Sequence, residues 1–176
     1  LFDSTLTLHW RAEVSEGEGR GRHTVVRTGD RTSFFTAHPQ CGLSSLPDHL
    51  WQRLPPLDAS RLVVFKPDYL ADWPAALYDL SLAEASLRAR ERMVQAGRTQ
   101  VQASSEVGSA NVEVTGADFS GQAYRLVFWP FWTGTDRYGD RVYRVLVNGQ
   151  TGETTGELPR DRMKIGLTIA LIGIVL

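Results

Sequence analysis

The chain has 176 residues, about the length of one domain, and its 42% hydrophobic and 22% charged residues describe an ordinary globular protein and not a disordered one. A net charge of -1 offers nucleic acid no global attraction. The single cysteine, Cys41, excludes an internal disulfide and any zinc site within the chain built from four cysteines or from three cysteines and a histidine. A reduced compartment fits that cysteine usage.

From the start, Leu6, Leu8, Trp10, Ala12 and Val14 alternate with polar neighbours, the period of a half-buried strand over 1–14. Glu16 to Gly21 reads as a charged turn. Its glycines at 17, 19 and 21 lack the following helix that a phosphate loop needs. His23–Arg27 and Thr32–Ala37 are expected as two strands around a turn at Thr28–Arg31, which would complete a three-stranded meander. Prolines at 39, 47, 55 and 56 break the pattern next, and Pro47–Arg53 is expected as a short helix with Ser45 as its cap. His49 and Trp51 lie there, as packing or surface residues. Arg61–Lys66 is read as a short apolar strand or extended segment, and Asp68–Trp73 as an aromatic-rich turn ended by Pro74.

The main helix opens at Ser81, with Glu84 three residues on as a capping box. Leu82, Ala85, Ala89, Met93 and Ala96 recur at helical spacing as its apolar face, with Arg88, Arg90, Glu91 and Arg92 toward solvent. Gly97 marks its end or a kink, and the polar stretch to Glu106 is either its continuation or a linker. Asn111–Val114 and Gln122–Trp129 are expected as strands joined by a turn at Asp118–Gly121. Then comes the densest aromatic cluster of the chain, Phe128, Trp129, Phe131 and Trp132 around Pro130. An alternating strand follows over Arg141–Val147, closed by a turn whose structural residues are Asn148, Gly149 and Gly152.

The sequence ends with a basic collar, Arg160, Arg162 and Lys164, before an apolar run from Ile165 to Leu176 broken only by Thr168. A helix of that length spans about 18 Å, against ~30 Å for a bilayer core, so the run reads as the start of a transmembrane helix that needs roughly eight more apolar residues. Basic residues ahead of it place the folded part on the cytoplasmic side of the inner membrane. Residues 1–159 are thus expected to form one cytoplasmic α+β domain of antiparallel meanders with one main helix, weakly organised as 1–66 and 67–159. Residues 160–164 form the collar and 165–176 begin the anchor.

Catalytic signatures are scarce. GxxxxGK[ST], HExxH and GxSxG are absent. The four histidines, His9, His23, His38 and His49, lack metal-ligand spacing, although His9 and His23 are candidates to meet across neighbouring strands. Cys41 with His38 as base is a weak nucleophile arrangement, and Asp136 and Asp140 flank Tyr138 as solvated turn carboxylates. The aromatics of 128–132 with Arg125, Arg137, Arg141 and Arg144, or the arginines of 88–98, give the competing reading of a nucleic-acid-binding accessory module. Interleaved acidic residues favour a solvated face and buried or interfacial aromatics instead.

The tripeptide Pro130-Phe131-Trp132, the run YRVLVNGQTGE (143–153), Gly156-Glu157, Pro159 and Lys164-Ile165, together with YLADWPAALYDLSLAEA (69–85), resemble a family of bacterial membrane proteins. These are the TFIIB-type zinc-ribbon proteins often labelled primosomal protein N' or PriA-like helicase. The resemblance covers most of the chain from about Leu57 onward. It implies an N-terminal zinc ribbon, a cytoplasmic α+β domain and C-terminal transmembrane helices, with partners in membrane-stress systems. With one cysteine, this chain holds no such ribbon, so zinc would belong outside it, and no residue here supports the helicase label. The reading is of a non-enzymatic, membrane-anchored domain, without a cofactor in this chain, that binds or scaffolds protein partners or further copies of itself.

Overall fold

Alternation in the first stretch does produce a strand, β1, Phe2–Glu16. Ser4, Leu6, Leu8, Trp10 and Ala12 are buried on one face, and the odd-numbered residues from Thr5 to Glu13 project to the other. The structure is a computed structural model, and it describes residues 1–17, 21–71, 75–108 and 110–157, with the backbone alone at Tyr138. The collar Arg160, Arg162 and Lys164 and the apolar run after it lie outside the described residues. No helix among the described residues is long and apolar enough to cross a membrane.

Two antiparallel partners flank β1. On one side β2, His23–His38, pairs along its whole length, and on the other β3, Val112–Tyr124, does the same, giving the order β2-β1-β3. This corrects two expected turns. Thr28–Arg31 lies within β2, because Gly29 faces Trp10 across the ladder and a Cβ there would stand 2.8 Å from the indole. The glycine serves close approach, not reversal. Asp118–Gly121 likewise lies within β3. There Gly121, at φ 59°, takes up one of two β-bulges, where the partners of Asp3 and Thr5 step from Ala123 to Ser120. The expected three-stranded N-terminal meander is therefore a hairpin whose third strand arrives from the far half of the sequence.

The main helix is α1, Leu82–Gln102, and its capping box forms as the sequence predicts: Glu84 N donates to Ser81 Oγ at 3.2 Å and Ser81 N donates to Glu84 Oε2 at 3.0 Å. Gly97 does not end it. The helix runs on to Gln102, and Gly97 is buried against Leu6 and Leu8, where an added Cβ would meet Leu6 Cδ2 at 3.3 Å. The buried stripe is Ala89, Met93, Gly97 and Val101, displaced from the expected one, and Leu82 is exposed. Met93 and Val101 join Leu6, Leu8, Trp10, Ala12, Val107 and Val112 in one core.

A second sheet has the order β4-β5-β6, with β4 at Phe131–Tyr138, β5 at Arg141–Asn148 and β6 at Thr154–Gly156. The short helix α2, Asp48–Trp51, is capped by Pro47 and not by the side chain of Ser45, so that cap expectation is also corrected. Leu62–Lys66 takes no regular strand, and Pro67–Leu70 is a single 3-10 turn. The chain divides into two compact units. One comprises Leu1–Ser44 and Ala59–Phe128, the other Ser45–Asp58 and the described residues from Trp129 onward. Each is α+β, and neither is a continuous stretch of chain.

Because Leu8 is wholly buried beneath α1, Leu8→Ala should cost roughly 2–5 kcal/mol of unfolding free energy. Gly97→Leu should destabilise by overpacking, roughly 1–3 kcal/mol. Urea unfolding monitored by tryptophan fluorescence checks both, with Leu87→Ala on the exposed helix face as the near-neutral control.

Candidate functional site

On the face of the first sheet opposite the helix, the register brings three titratable side chains together. His9 of β1 stands opposite Asp30 of β2, and Asp118 of β3 lies diagonally beside it. The His9 ring nitrogens reach both carboxylates, Nδ1 to Asp30 Oδ1 at 2.6 Å and Nε2 to Asp118 Oδ2 at 2.9 Å. A neutral imidazole donates from only one nitrogen, so two carboxylate partners are satisfied together only by the imidazolium. The bonds to Asp118 and then to Asp30 accordingly hold the His9 pKa above its ordinary 6.5. The arrangement ties three strands together on the solvent side. His9 and His23 do not meet: the β1–β2 register sets His23 opposite Glu16, far along the strand from His9.

His38 behaves oppositely. Burial first, and then the charge of Arg92, push its pKa down to about 4. Its Nε2 is buried with no hydrogen-bond partner among the described residues, and its ring meets Phe35 edge-on at 5.5 Å. Cys41, half-buried, accepts the Leu43 amide on Sγ at 3.5 Å. Asp136 and Asp140 are exposed, the former accepting the Arg137 amide and the latter in the β4–β5 turn beside Gly139. His49 Nε2 lies 3.2 Å from Glu157 Oε1, and Trp51 Nε1 donates to Asp48 Oδ1 at 2.9 Å. Among the described residues there is no group of three or more His, Cys, Asp or Glu side chains able to hold a metal ion.

The turn after β5 is organised from its asparagine. Asn148 is fully buried, and its Oδ1 accepts the Gln150 amide at 2.9 Å and Trp129 Nε1 at 3.4 Å. Its backbone N–H donates to Glu153 O, and its carbonyl accepts from Gly152 N. Gly149 N donates to Pro130 O at 2.8 Å, and a Cβ on Gly149 would stand 2.7 Å from that oxygen. Gly152 adopts φ 76°, in the left-handed region that favours glycine.

The four aromatics serve different neighbours. Phe128 stacks on Phe65 with ring centroids 4.9 Å apart. Trp129 leans on Asn148, Phe131 opens β4 opposite Asn148, and Trp132 pairs with Val147 with more than half its surface exposed. Three of the helix arginines bond neighbours in their own unit. Arg90 donates to Gln122 Oε1 and sits over the Phe119 ring, Arg92 donates to Pro39 O, and Arg98 donates to Asn111 Oδ1.

Two features escaped sequence reading. The His9 pair of bonds depends on registers between residues 21 and 109 positions apart, and only the outward parity of His9 on β1 hinted at it. The second is the exposed apolar run in 63–78: Val63, Val64, Phe65, Tyr69, Leu77 and Tyr78 all stand largely in solvent, Val64 at 85%. Residues 62–66 and 75–79 take no regular strand or helix that would bury half of these, and Pro67–Leu70 is a single 3-10 turn.

The two histidines set opposite pH dependences. His9, raised in the fold, contributes stability that is complete below pH 6.5 and lost as pH rises through its folded value. His38, lowered in the fold, removes stability as pH falls from 6.5 toward about 4, where the unfolded chain binds the extra proton. Urea unfolding across pH 4–8 should therefore show Asp30→Asn/Asp118→Asn flattening the alkaline limb and His38→Leu flattening the acid one. Asn148→Ala should cost about 1–3 kcal/mol, read by the same unfolding experiment, because it strands the Gln150 amide and the Trp129 indole N–H. Comparison with protein families, with characterised proteins and with solved structures finds no match for the chain.

Proposed function

We propose that this chain is a non-enzymatic domain held at the cytoplasmic face of a membrane, where it binds protein partners. The observation that carries the binding reading is the set of exposed apolar residues within 63–78 in the first unit, joined by the Phe65–Phe128 stack. Large apolar side chains concentrated in one solvent-facing segment mark an interaction surface more often than chance. The membrane reading rests on the sequence alone, on Arg160, Arg162 and Lys164 ahead of the apolar run from Ile165. A non-catalytic role draws support from the candidate nucleophile and base. Cys41 accepts a local backbone amide, and His38 is held neutral by burial.

The nucleic-acid alternative asks for a basic groove with stacking aromatics. Arg90, Arg92 and Arg98 instead each bond a neighbour within their own unit, and Trp129, Phe131 and Trp132 belong to the other unit.

Fractionation of cells expressing the intact gene product tests the proposal. That product should sediment with membranes, resist extraction by high salt and dissolve in mild detergent; its recovery in the soluble fraction without detergent would overturn the anchor. A photo-crosslinking residue in place of Val64 should give protein adducts in the membrane fraction that the same residue in place of Glu113 does not. Salt-steep binding to single-stranded DNA at physiological ionic strength would transfer support to the alternative.

A further inference from the structure

The first sheet has two outer edges, and they differ. The β3 edge is interrupted by two bulges, between the partners of Asp3 and Thr5 and between those of His9 and Trp10. Bulges blunt an edge by bending it and breaking its row of donors and acceptors. The β2 edge has no such break from His23 to Phe35; its one irregularity falls at Thr36–Ala37, where Ala37 adopts φ 51°. Among the described residues β2 pairs with β1 alone, so its outer row of backbone groups is open over that length. What satisfies such a row is another extended strand.

The side chains of β2 indicate which strand. Its solvent-facing residues run Val26, Thr28, Asp30, Thr32, Phe34, and the two large apolar ones are 50% and 80% exposed. Their spacing is symmetric about Asp30. We propose that two copies of this chain pair through β2, antiparallel about a two-fold axis at Asp30, so that two three-stranded sheets become one. Val26 then faces Phe34 of the other copy at both ends, and Thr28 faces Thr32, each pair about 5 Å apart at Cβ.

Neighbouring registers are worse. Centring on Gly29 opposes Arg27 to Arg31, centring on Arg31 opposes it to itself, and centring on Thr28 sets Val26 against Asp30. The central Asp30 pair brings like charges together, but each carboxylate is already bonded to its own His9. The proposal holds whether or not the chain is anchored in a membrane.

Sedimentation velocity of the purified full chain in mild detergent, across micromolar concentrations, should show a dimer, and Phe34→Lys should shift it to monomer. Phe34 is exposed, so the variant should unfold as the natural chain does, a control read by circular dichroism. In a Cys41→Ser background, Thr28→Cys/Thr32→Cys should oxidise to a covalent dimer, while Thr28→Cys alone should not, because the two Thr28 positions lie roughly 13 Å apart along the paired strands. A monomer throughout, a dimer unaffected by Phe34→Lys, or equal cross-linking by the single variant would each overturn the proposal.

Discussion

The constraint on which the first unit depends is the register of β1. It is the central strand of its sheet, and it alone supplies Leu6, Leu8, Trp10 and Ala12 to the core. A slip of one residue would send all four into water and bring Thr7, His9 and Arg11 under the helix. Several contacts forbid that slip from different directions. Gly29 admits the Trp10 ring, Gly97 lets α1 approach Leu6 and Leu8, and His9 is tied to both neighbouring strands on the other face. Two of these locks are glycines, chosen for the absence of a side chain and not for backbone freedom.

That use of glycine explains where sequence reading succeeded and where it did not. The period-two pattern of 1–14 and the Ser81/Glu84 capping box were legible because both are local rules with a fixed spacing. Thr28-Gly29-Asp30 and Asp118–Gly121 carried turn composition, and both proved to be strand interior. One glycine accommodates an indole from the next strand and another accommodates a bulge. Nothing local separates these uses from a turn. The order β2-β1-β3 was equally hidden, since β3 follows the long helix in sequence yet completes the N-terminal sheet. Of the features weighed for a site, the Asn148 turn was readable from Asn-Gly and Thr-Gly. The full burial of Asn148, and its bonds to Trp129 and Gln150, were not, because they depend on where Trp129 comes to rest.

The two faces of the first sheet treat charge in contrasting ways. On the open face, His9 lies between two exposed carboxylates, where water limits what the pairing contributes but geometry favours the protonated ring. At the end of β2, His38 is set among Phe35 and the helix beside Arg92, and there burial and a like charge favour the neutral ring. The same residue type thus titrates in opposite directions within one unit. The cause is placement on the sheet, which neither composition nor spacing encodes.

Edge treatment carries the same logic one step further. A three-stranded sheet cannot avoid two edges, and the physical means of guarding them are bulges, charges, proline and short strands. β3 uses bulges twice, and at one of them Gly121 takes the positive φ at little cost in backbone strain. β2 uses none over thirteen paired positions and places its two exposed apolar residues at equal distances from Asp30. Its arginines, Arg27 and Arg31, fall on the opposite parity, and Arg27 is bonded to Glu16 and to the Glu106 carbonyl. The two arginines are therefore turned away from the face on which Val26 and Phe34 stand, and the charge that remains there, Asp30, is bonded to His9. An edge guarded on one side and left regular on the other is what a sheet built to receive one further strand, on one side only, requires.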